Sequence, residues 1–352
     1  MNPPAGSPDP AGRLLRLLGG KWIAAAISAA ATLRIPDALA DGPLSLEDLA
    51  ARVECDASAL ERLLRVLHGE NLVRRDFEAN YHLTDDGHLL RRGALGELAE
   101  YVGTPFGWDP WSSLPHAVRT GEAAFAERHG TGLFEYLDAA NTQDTQGAQV
   151  DPGRAAEAEL YHAAIDSFSR AESKALAEAF DFTPYHRVAD IGGGRGALLV
   201  DVLKAWPSLE GILLERPAAT AQAEALFAAE GLSSRCEIVV GDFFETLPAH
   251  ADICVLKHIL HSWDDATSQR LLERCRDLVG PSGRVLVIEG VLLPGGRPNL
   301  TSLLDLEMLV LCGPGHERSK PEIRRLLHNS GLRLESSVPL AESARLFVTQ
   351  PR

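Results

Sequence analysis

The stretch VADIGGGRGALL, from Val188 to Leu199, decides the fold because four closely spaced glycines join an apolar run to a helical pattern. Glycine permits a tight turn at that junction and lets a ligand come close to the backbone. Gly192, Gly194 and Ala197 also satisfy the G-x-G-x-x-A pattern of dinucleotide sites. The loop alone therefore predicts a nucleotide-like ligand at the end of a strand and leaves the identity of that ligand open.

Apolar strands alternate with helical segments on both sides of this loop. The predicted strands read RVADI, GILLE, CEIVV, ADICVLK and GRVLVIEG, followed by LRLESSVP and ARLFVTQ with only a turn between them. Such alternation is typical of a doubly wound α/β sheet, and the last pair predicts an antiparallel hairpin. We therefore expect a Rossmann-like domain over residues 181–352, with its ligand at the carboxyl ends of the early strands.

Acidic residues follow three successive strands and distinguish between two ligands. Asp190 lies two residues before Gly192, where its charge opposes a pyrophosphate but suits the cationic amino-acid end of S-adenosylmethionine (SAM). Glu215 ends the second strand, where a ribose-binding acid belongs in either a nicotinamide or a SAM site. Asp242 can accept a hydrogen bond from an adenine amino group, and Phe243 offers a face for the ring. Together they favour SAM.

The segment before this domain is predicted to be mostly helical. Residues 1–12 are rich in proline, glycine and serine and are expected to be disordered. Residues 13–105 begin with an apolar helical pattern. They continue as helix Leu46–Val53 capped by Ser45, helix Asp56–Gly69 and two short strands around DFEAN, which together form a winged helix-turn-helix.

A winged helix suggests DNA binding, but its charge argues against that function. Residues 41–92 hold seven arginines, no lysine and eleven acidic residues, and the whole chain has a formal charge of −15. DNA-binding proteins usually present a basic surface to the phosphate backbone. A ligand-regulated transcription factor is therefore disfavoured, and nucleic acid is not expected as a partner.

The cysteines and the apolar N-terminal segment bear on location and assembly. Five cysteines are scattered without a CxxC pair, which favours a reducing cytoplasm. The apolar run Trp22–Leu33 is ended by Arg34 and Pro36, short of the length of a membrane span. Because a helix with so little polar face has to be covered, we expect a homodimer formed through the N-terminal domain and no membrane partner.

The stretch LKHILHSWDD, Leu256–Asp265, sets two histidines three residues apart. A metal site, a catalytic base and a histidine that only serves packing are all compatible with this spacing. Asp264 and Asp265 are the only further metal ligands close by in the sequence. A zinc site normally needs three or four suitably spaced ligands, so no metal is expected here.

With these motifs in this order, the chain resembles the SAM-dependent small-molecule O-methyltransferases of the caffeic acid type and their bacterial relatives that tailor secondary metabolites. The resemblance covers nearly the whole chain, with residues 13–105 as a winged-helix dimerisation domain and residues 106–180 as a helical linker that contributes to the acceptor pocket. It implies metal-independent methyl transfer from SAM to a phenolic or enolic hydroxyl of a small polyketide-like aromatic, with S-adenosylhomocysteine as the product.

The resemblance also implies roles for individual residues. His261 is the general base, oriented by Glu289 and Glu317, and His258 has no assigned role, so a satisfied or solvated histidine is expected there. The implied SAM contacts are Ser169, Asp190, Gly192, Gly194, Glu215, Asp242, Phe243 and Lys257, and the implied acceptor contacts are Ile165, Met308 and Cys312.

Several positions depart from the family pattern. Glu215 stands where aspartate is usual, and Ser262 follows the base where aspartate is common. Ile165 and Cys312 replace a methionine and an asparagine of plant members, so a plant phenylpropanoid acceptor is not implied. An alternative function is a SAM-binding relative that catalyses hydroxylation, decarboxylation or a pericyclic step, which retention of the three catalytic residues disfavours.

Overall fold

A computed structural model describes residues 9–139, 152–296, 299–341 and 344–352. Most of the segment predicted to be disordered, residues 1–8, lies outside these ranges. The first helix begins at Pro10, so residues 10–12 are helical, and the structure differs there from the prediction. Proline at the start of a helix loses no hydrogen bond, because the first amide groups have no intrahelical partner.

The described residues form two compact units. The first comprises the chain up to Trp108 together with Ala163–Phe168, and the second comprises Asp109–His162 and Ser169–Arg352. The elements of the first unit are α1 (Pro10–Thr32), α2 (Ile35–Ala38), α3 (Leu46–Arg52), α4 (Ala57–Gly69), β1 (Val73–Arg75), β2 (Tyr81–Leu83), α5 (Asp85–His88), α6 (Gly96–Val102) and α7 (Pro105–Trp108).

The second unit holds the larger sheet and nine further helices of the described chain. Its helices are α8 (Leu114–Thr120), α9 (Ala124–His129), α10 (Leu133–Ala139), α11 (Pro152–Ala179, of which Ala163–Phe168 belongs to the first unit), α12 (Ala197–Ala205), α13 (Pro217–Ala229), α14 (Asp265–Val279), α15 (Leu300–Cys312) and α16 (Lys320–Asn329). Its strands are β3 (Arg187–Ile191), β4 (Glu210–Glu215), β5 (Cys236–Val240), β6 (Ile253–Lys257), β7 (Arg284–Leu292), β8 (Arg318–Ser319), β9 (Leu332–Pro339) and β10 (Ala344–Pro351).

The winged helix-turn-helix predicted in the first unit is confirmed. The Ser45 hydroxyl accepts a hydrogen bond from the Asp48 amide and so caps α3, and the Asp56 carboxylate caps α4 in the same way. Strands β1 and β2 pair antiparallel, with Val73 opposite Leu83. Leucines at helical spacing on α4 are buried in the core of this unit, which is why the pattern could be recognised from the sequence.

Helix α1 is longer than the apolar run suggested. It extends over 23 residues, and it is the one described helix long and apolar enough to cross a bilayer by length and composition, which is weak evidence for a membrane span. The run Trp22–Leu33 is itself shorter than a span, and it forms the C-terminal half of a helix that starts upstream at Pro10. Much of its apolar surface is exposed in the single chain, with Trp22 at 73% and Leu17 at 77%.

The large sheet confirms the Rossmann-like prediction. Its strand order is β5-β4-β3-β6-β7-β10-β9, parallel from β5 to β7 and antiparallel in the C-terminal hairpin, with the short β8 beside β7. The chain order reverses between β3 and β6, which is where a ligand binds in such sheets. Buried side chains of alternate residues cover both faces, so the carboxyl ends of β3, β4, β6 and β7 are held rigidly at one edge.

Candidate active site

The glycine loop after β3 has the backbone geometry that only glycine adopts readily. Gly192, Gly194 and Gly196 have φ values of 70°, 59° and 81°, in the left-handed region. A Cβ on Gly192 would lie 2.6 Å from the Ile259 side chain, and one on Gly193 would clash with the Asp190 carboxylate. The loop therefore packs so closely on the Ile259 side chain and the Asp190 carboxylate that these two positions have no room for a side chain.

Two of the strand-end acids lie against this loop. Asp190 on β3 is 1% exposed. Glu215 at the end of β4 accepts hydrogen bonds from the amides of Gly194 and Arg216, each at 2.7 Å. Burial raises the pKa of Glu215 to about 7, although these two amide hydrogen bonds oppose the rise. The carboxyl predicted to hold a ribose thus lies directly against the glycine loop.

The third acid has protein partners of its own. One oxygen of Asp242 accepts a hydrogen bond from the Phe244 amide at 2.8 Å, and the other lies 3.4 Å from a guanidinium nitrogen of Arg216. Phe243 reaches the glycine loop, since its ring edge lies 3.4 Å from the position of a Cβ on Gly192. Arg216 was not identified from the sequence, although it directly follows Glu215.

Lys257 ends β6 and connects it to helix α11. Its ammonium group donates hydrogen bonds to the hydroxyls of Ser169 at 2.6 Å and Ser173 at 3.1 Å. Both serines are 1% exposed. The structure therefore brings together two residues predicted as SAM contacts and adds Ser173, which the sequence analysis missed. Its spacing of four residues from Ser169 on a helix was the available signal.

His261 lies on the 3₁₀ turn Leu260–Ser262 and faces two acids from distant parts of the chain. Its Nδ1 is 2.8 Å from Oε1 of Glu317, which precedes β8, and 3.8 Å from Oε2 of Glu289 on β7. Glu289 and Glu317 are 3% and 2% exposed. The three residues predicted as the catalytic group are thus adjacent in the fold.

Backbone and side-chain hydrogen bonds fix the turn that carries His261. Oε1 of Glu289 accepts hydrogen bonds from the amides of Ile259 and Leu260 at 3.1 and 2.7 Å. Arg318, which is 3% exposed, donates to the carbonyls of Leu260 and Trp263, each at 2.8 Å. The base is therefore held from both sides, and Arg318 is a supporting residue that sequence reasoning missed.

The electrostatics of the group identify the nitrogen that can act as a base. Burial lowers the pKa of His261, but the charge of Glu289 and the hydrogen bond and charge of Glu317 outweigh it, so the net shift is upward. Burial alone raises the pKa of Glu317, and the contact with His261 reverses this and lowers it. Because an ionised Glu317 can only accept, Nδ1 of His261 carries a hydrogen and Nε2 has the lone pair.

His258 also lies in this cluster, and it is a satisfied histidine as expected, because its ring is paired with Glu172. Its Nε2 lies 2.6 Å from Oε2 of Glu172 on α11, and its ring centroid is 5.5 Å from that of His261. Its backbone is left-handed, with φ of 55°, which is unusual for a residue with a side chain. The sequence offered no metal ligand near the motif besides Asp264 and Asp265, but the fold brings Glu289 beside both rings.

Two family models match the chain over these same two regions. The model of the O-methyltransferase domain matches residues 111–333, and that of the O-methyltransferase dimerisation domain matches residues 15–92. The chain belongs to the SAM-dependent O-methyltransferase family. It is an O-methyltransferase with SAM as its cofactor and with an N-terminal domain of the type through which this family dimerises.

This O-methyltransferase is similar over almost its whole length to known proteins. The mitomycin biosynthesis 6-O-methyltransferase of Streptomyces lavendulae is 38% identical over 92% of this chain and 89% of that protein. The 3-amino-4-hydroxybenzoate 4-O-methyltransferase of Streptomyces cremeus is 34% identical over 98% of this chain and 92% of that protein. The structure of human N-acetylserotonin methyltransferase in complex with SAM has a TM-score of 0.84 at 26% identity and covers 99% of both chains.

One relative has a different activity. The aclacinomycin 10-hydroxylase of Streptomyces purpurascens is 31% identical over 92% of this chain and 84% of that protein. Whole-chain similarity at this level is therefore shared by methyltransferases and by a hydroxylase.

The residues of this O-methyltransferase at the carboxyl ends of β3, β4 and β6 fit SAM. The carboxylates of Asp190 and Glu215 both lie against the glycine loop. Acids suit an amino group, a sulfonium and ribose hydroxyls, whereas they repel a pyrophosphate. These carboxylates thus fit SAM, the cofactor that the family implies.

The residues predicted to contact the acceptor lie on two helices. Met308 on α15 is 8% exposed, and Cys312 is the last residue of that helix. Burial raises the pKa of the Cys312 thiol to about 12, although a hydrogen bond with Ser262 opposes the rise, so Cys312 is a neutral neighbour of the turn that carries the base. Ile165 is 39% exposed on the part of α11 that belongs to the first unit.

Proposed function

We propose that the chain methylates a phenolic or enolic hydroxyl of a small aromatic secondary metabolite, with His261 as general base and without a catalytic metal. The observation that carries this proposal is the hydrogen bond between Nδ1 of His261 and Glu317, because it leaves Nε2 to accept a proton. Glu289 and Glu317 are the acids that orient the ring.

The reaction needs alignment and the removal of one proton. SAM supplies an electrophilic methyl group and a neutral leaving group. Nε2 of His261 takes the proton of the acceptor hydroxyl, and the charge that develops on the imidazole is balanced by Glu317 and Glu289. The fixed turn around Leu260 keeps the base in place, and buried neighbours exclude water from it, so the residues act mainly by position and proton transfer.

The cofactor is held by residues from several strand ends. We assign the amino-acid end of SAM to Asp190 and the loop of Gly192 and Gly194, and the ribose to Glu215. Asp242 and Phe243 take the adenine, with the second oxygen of Asp242 shared with Arg216. We assign a further SAM contact to Lys257 and Ser169, whose side chains share a hydrogen bond.

The acceptor class rests on the relatives and on the residues of α15. By their names, one of the two relatives compared above is a 6-O-methyltransferase of mitomycin biosynthesis, and the other acts on an aminohydroxybenzoate. Met308 offers a flexible apolar surface for an aromatic ring. We assign acceptor contacts to Met308 and Cys312 on α15, and we expect a bacterial tailoring substrate rather than a plant phenylpropanoid.

The assembly proposed is a cytoplasmic homodimer formed through the winged-helix domain of residues 13–105. The exposed apolar side chains of α1 support it, because an uncovered helix of this kind is costly in water. The net charge of −15 disfavours nucleic acid as a partner, and we expect no membrane partner.

A second candidate is hydroxylation, decarboxylation or a pericyclic step supported by bound SAM. The similarity to a named hydroxylase favours it. The intact group of His261, Glu289 and Glu317 favours methyl transfer, because a general base next to two acids has no evident use when no hydroxyl proton is removed.

Mass spectrometry distinguishes the two candidates. The purified chain is incubated with SAM and a panel of hydroxylated aromatic compounds, among them aminohydroxybenzoates and hydroxynaphthoates. Methyl transfer gives a product heavier by one methylene group and one equivalent of S-adenosylhomocysteine. A transformed acceptor without consumption of SAM would establish the second candidate instead.

A further inference from the structure

The two histidines of the motif lie within a buried acidic cluster that methyl transfer does not fully use. One nitrogen of His258, one of His261 and one carboxylate oxygen of Glu289 all lie within 4.8 Å of one another. Oε2 of Glu289 has no hydrogen-bond partner among the described residues, although the side chain is buried. We propose that these three residues bind a zinc ion, which inhibits the enzyme by occupying the base.

Carboxylates orient both rings in the manner found around histidine ligands of metals. Glu172 contacts Nε2 of His258 at 2.6 Å, and Glu317 contacts Nδ1 of His261 at 2.8 Å. A carboxylate on one ring nitrogen fixes the rotation of the ring and makes the imidazole a better electron-pair donor. The pair formed by the His258 imidazole and the Glu172 carboxylate has no part in the proposed removal of the hydroxyl proton.

The charge of the cluster favours a divalent cation. Glu172, Glu289 and Glu317 are 4%, 3% and 2% exposed, so water screens their charges weakly. The charge of Arg318 contributes to lowering the pKa of Glu317, but its guanidinium also pairs with a fourth carboxylate, that of Asp265. A doubly charged ion would compensate the excess of carboxylates over protein cations around the two imidazoles.

The donor atoms point to zinc rather than magnesium or calcium. Two imidazoles and one carboxylate suit zinc, whereas the harder ions prefer oxygen ligands alone. Zinc binds nitrogen at about 2.0–2.1 Å, so the three side chains have to draw together around it. Glu289 can do so with Oε2 while Oε1 keeps its two backbone amides.

Direct binding of zinc is measured on the full chain after bound metal has been removed with a chelator. The chain then competes with a chromophoric chelator for Zn²⁺, in the absence of SAM and acceptor. We expect one zinc per chain. His258→Asn removes the imidazole but tolerates the left-handed backbone, and it should weaken zinc binding at least tenfold. His250→Asn, at an exposed histidine, is the matched control and should bind like the wild type.

A folding defect is controlled by SAM titration of each variant. If His258→Asn no longer binds SAM, Glu172→Gln decides, because it keeps both histidines and should still weaken zinc binding severalfold. A wild type that binds no zinc overturns the proposal, as does equal zinc affinity in the wild type and in the folded variant.

The inhibitory role is tested separately, and it rests on the proposed function. Zn²⁺ should lower the rate of methyl transfer, Mg²⁺ should not, and a chelator should restore the rate. Zinc binding without an effect on the rate would overturn the inhibition. Zinc binding in a chain that transfers no methyl group would leave the metal site standing and contradict the proposed function.

Discussion

At the scale of single residues, the contact between His261 and Glu317 determines both the reactive nitrogen and the pH at which it is available. Since the net pKa shift of His261 is upward, a larger fraction of the ring is protonated near neutral pH than in a free histidine. Only the neutral ring can act as a base, and its fraction grows as the pH rises through the pKa in the folded protein.

The pH profile of activity should therefore rise on its acid side. Glu317→Gln removes a negative charge beside the ring, so the pKa of His261 should fall and the rising limb should move to lower pH. The maximal rate should also fall, because the ring loses its orientation. The measurement is kcat/KM against pH with a chelator present, and Glu122→Gln, at an exposed glutamate, is the control. A limb that moves to higher pH would contradict the assignment.

Binding of SAM should have a pH dependence of its own. Burial places the pKa of Glu215 at about 7, so below that pH the carboxyl is protonated and loses its charge and part of its capacity to accept hydrogen bonds. SAM affinity should rise with pH up to about 7, with a slope approaching tenfold per pH unit on the acid side. Calorimetric titration should show the slope in Glu210→Gln, at the exposed start of the same strand, and not in Glu215→Gln.

At the scale of elements, the site is made by helix α11 and the ends of strands that are far apart in sequence. Ser169, Glu172 and Ser173 lie on one face of α11 and contact Lys257 and His258 at the end of β6. The strands that carry the site could be predicted from the sequence, because each is a short apolar run that ends next to a glycine or an acid. The pairing of Glu172 with His258 could not, because 86 residues separate them.

Local signals predicted helix ends best where a side chain caps the backbone. Ser45 was correctly predicted as a cap because its oxygen satisfies an amide that has no partner inside the helix. The second helix was predicted to begin at Asp56, which is its cap, one residue before the helix starts. The composition of residues 1–12 predicts disorder, but α1 begins at Pro10, because proline is favoured in the first turn of a helix. The two-residue β8 is too short to leave an alternation pattern.

Loss of a cap should cost stability without affecting chemistry. Asp56→Ala leaves the Ala59 amide without its partner, and we expect a loss of about 0.5–2 kcal/mol in the stability of the N-terminal unit. Asp41→Ala, which removes only an exposed ion pair with Arg52, should cost less. Urea unfolding followed by circular dichroism measures both, and equal effects would argue against the cap as the cause.

At the scale of the whole molecule, the apolar surface of α1 predicts self-association. Leu14, Leu17, Leu18 and Trp22 are 57–77% exposed in the single chain, on the helix that the dimerisation-domain match includes in large part. The sequence predicted this helix and predicted that its apolar face is buried against another chain. The acceptor could not be predicted, because its pocket depends on side chains from separate segments of the chain.

Light scattering should therefore give the mass of a dimer at micromolar concentration. Leu18→Arg places a charge on the apolar face of α1 and should shift the population toward monomer. Leu89→Arg, at another exposed leucine of the same unit, is the control and should leave the dimer intact. A wild type that stays monomeric would contradict the assignment of this surface, and retardation of random duplex DNA would contradict the exclusion of nucleic acid.

The most direct test of the central claim is the rate of methyl transfer by His261→Ala, measured in single turnover beside a calorimetric titration with SAM. Because general base catalysis contributes about 10²–10⁴-fold, we expect the rate to fall by that factor. SAM affinity should stay within about twofold, because the hydrogen bond of His261 within the described part of the chain goes to Glu317 and not to a residue assigned to SAM. Full methyl transfer by this variant would contradict the account.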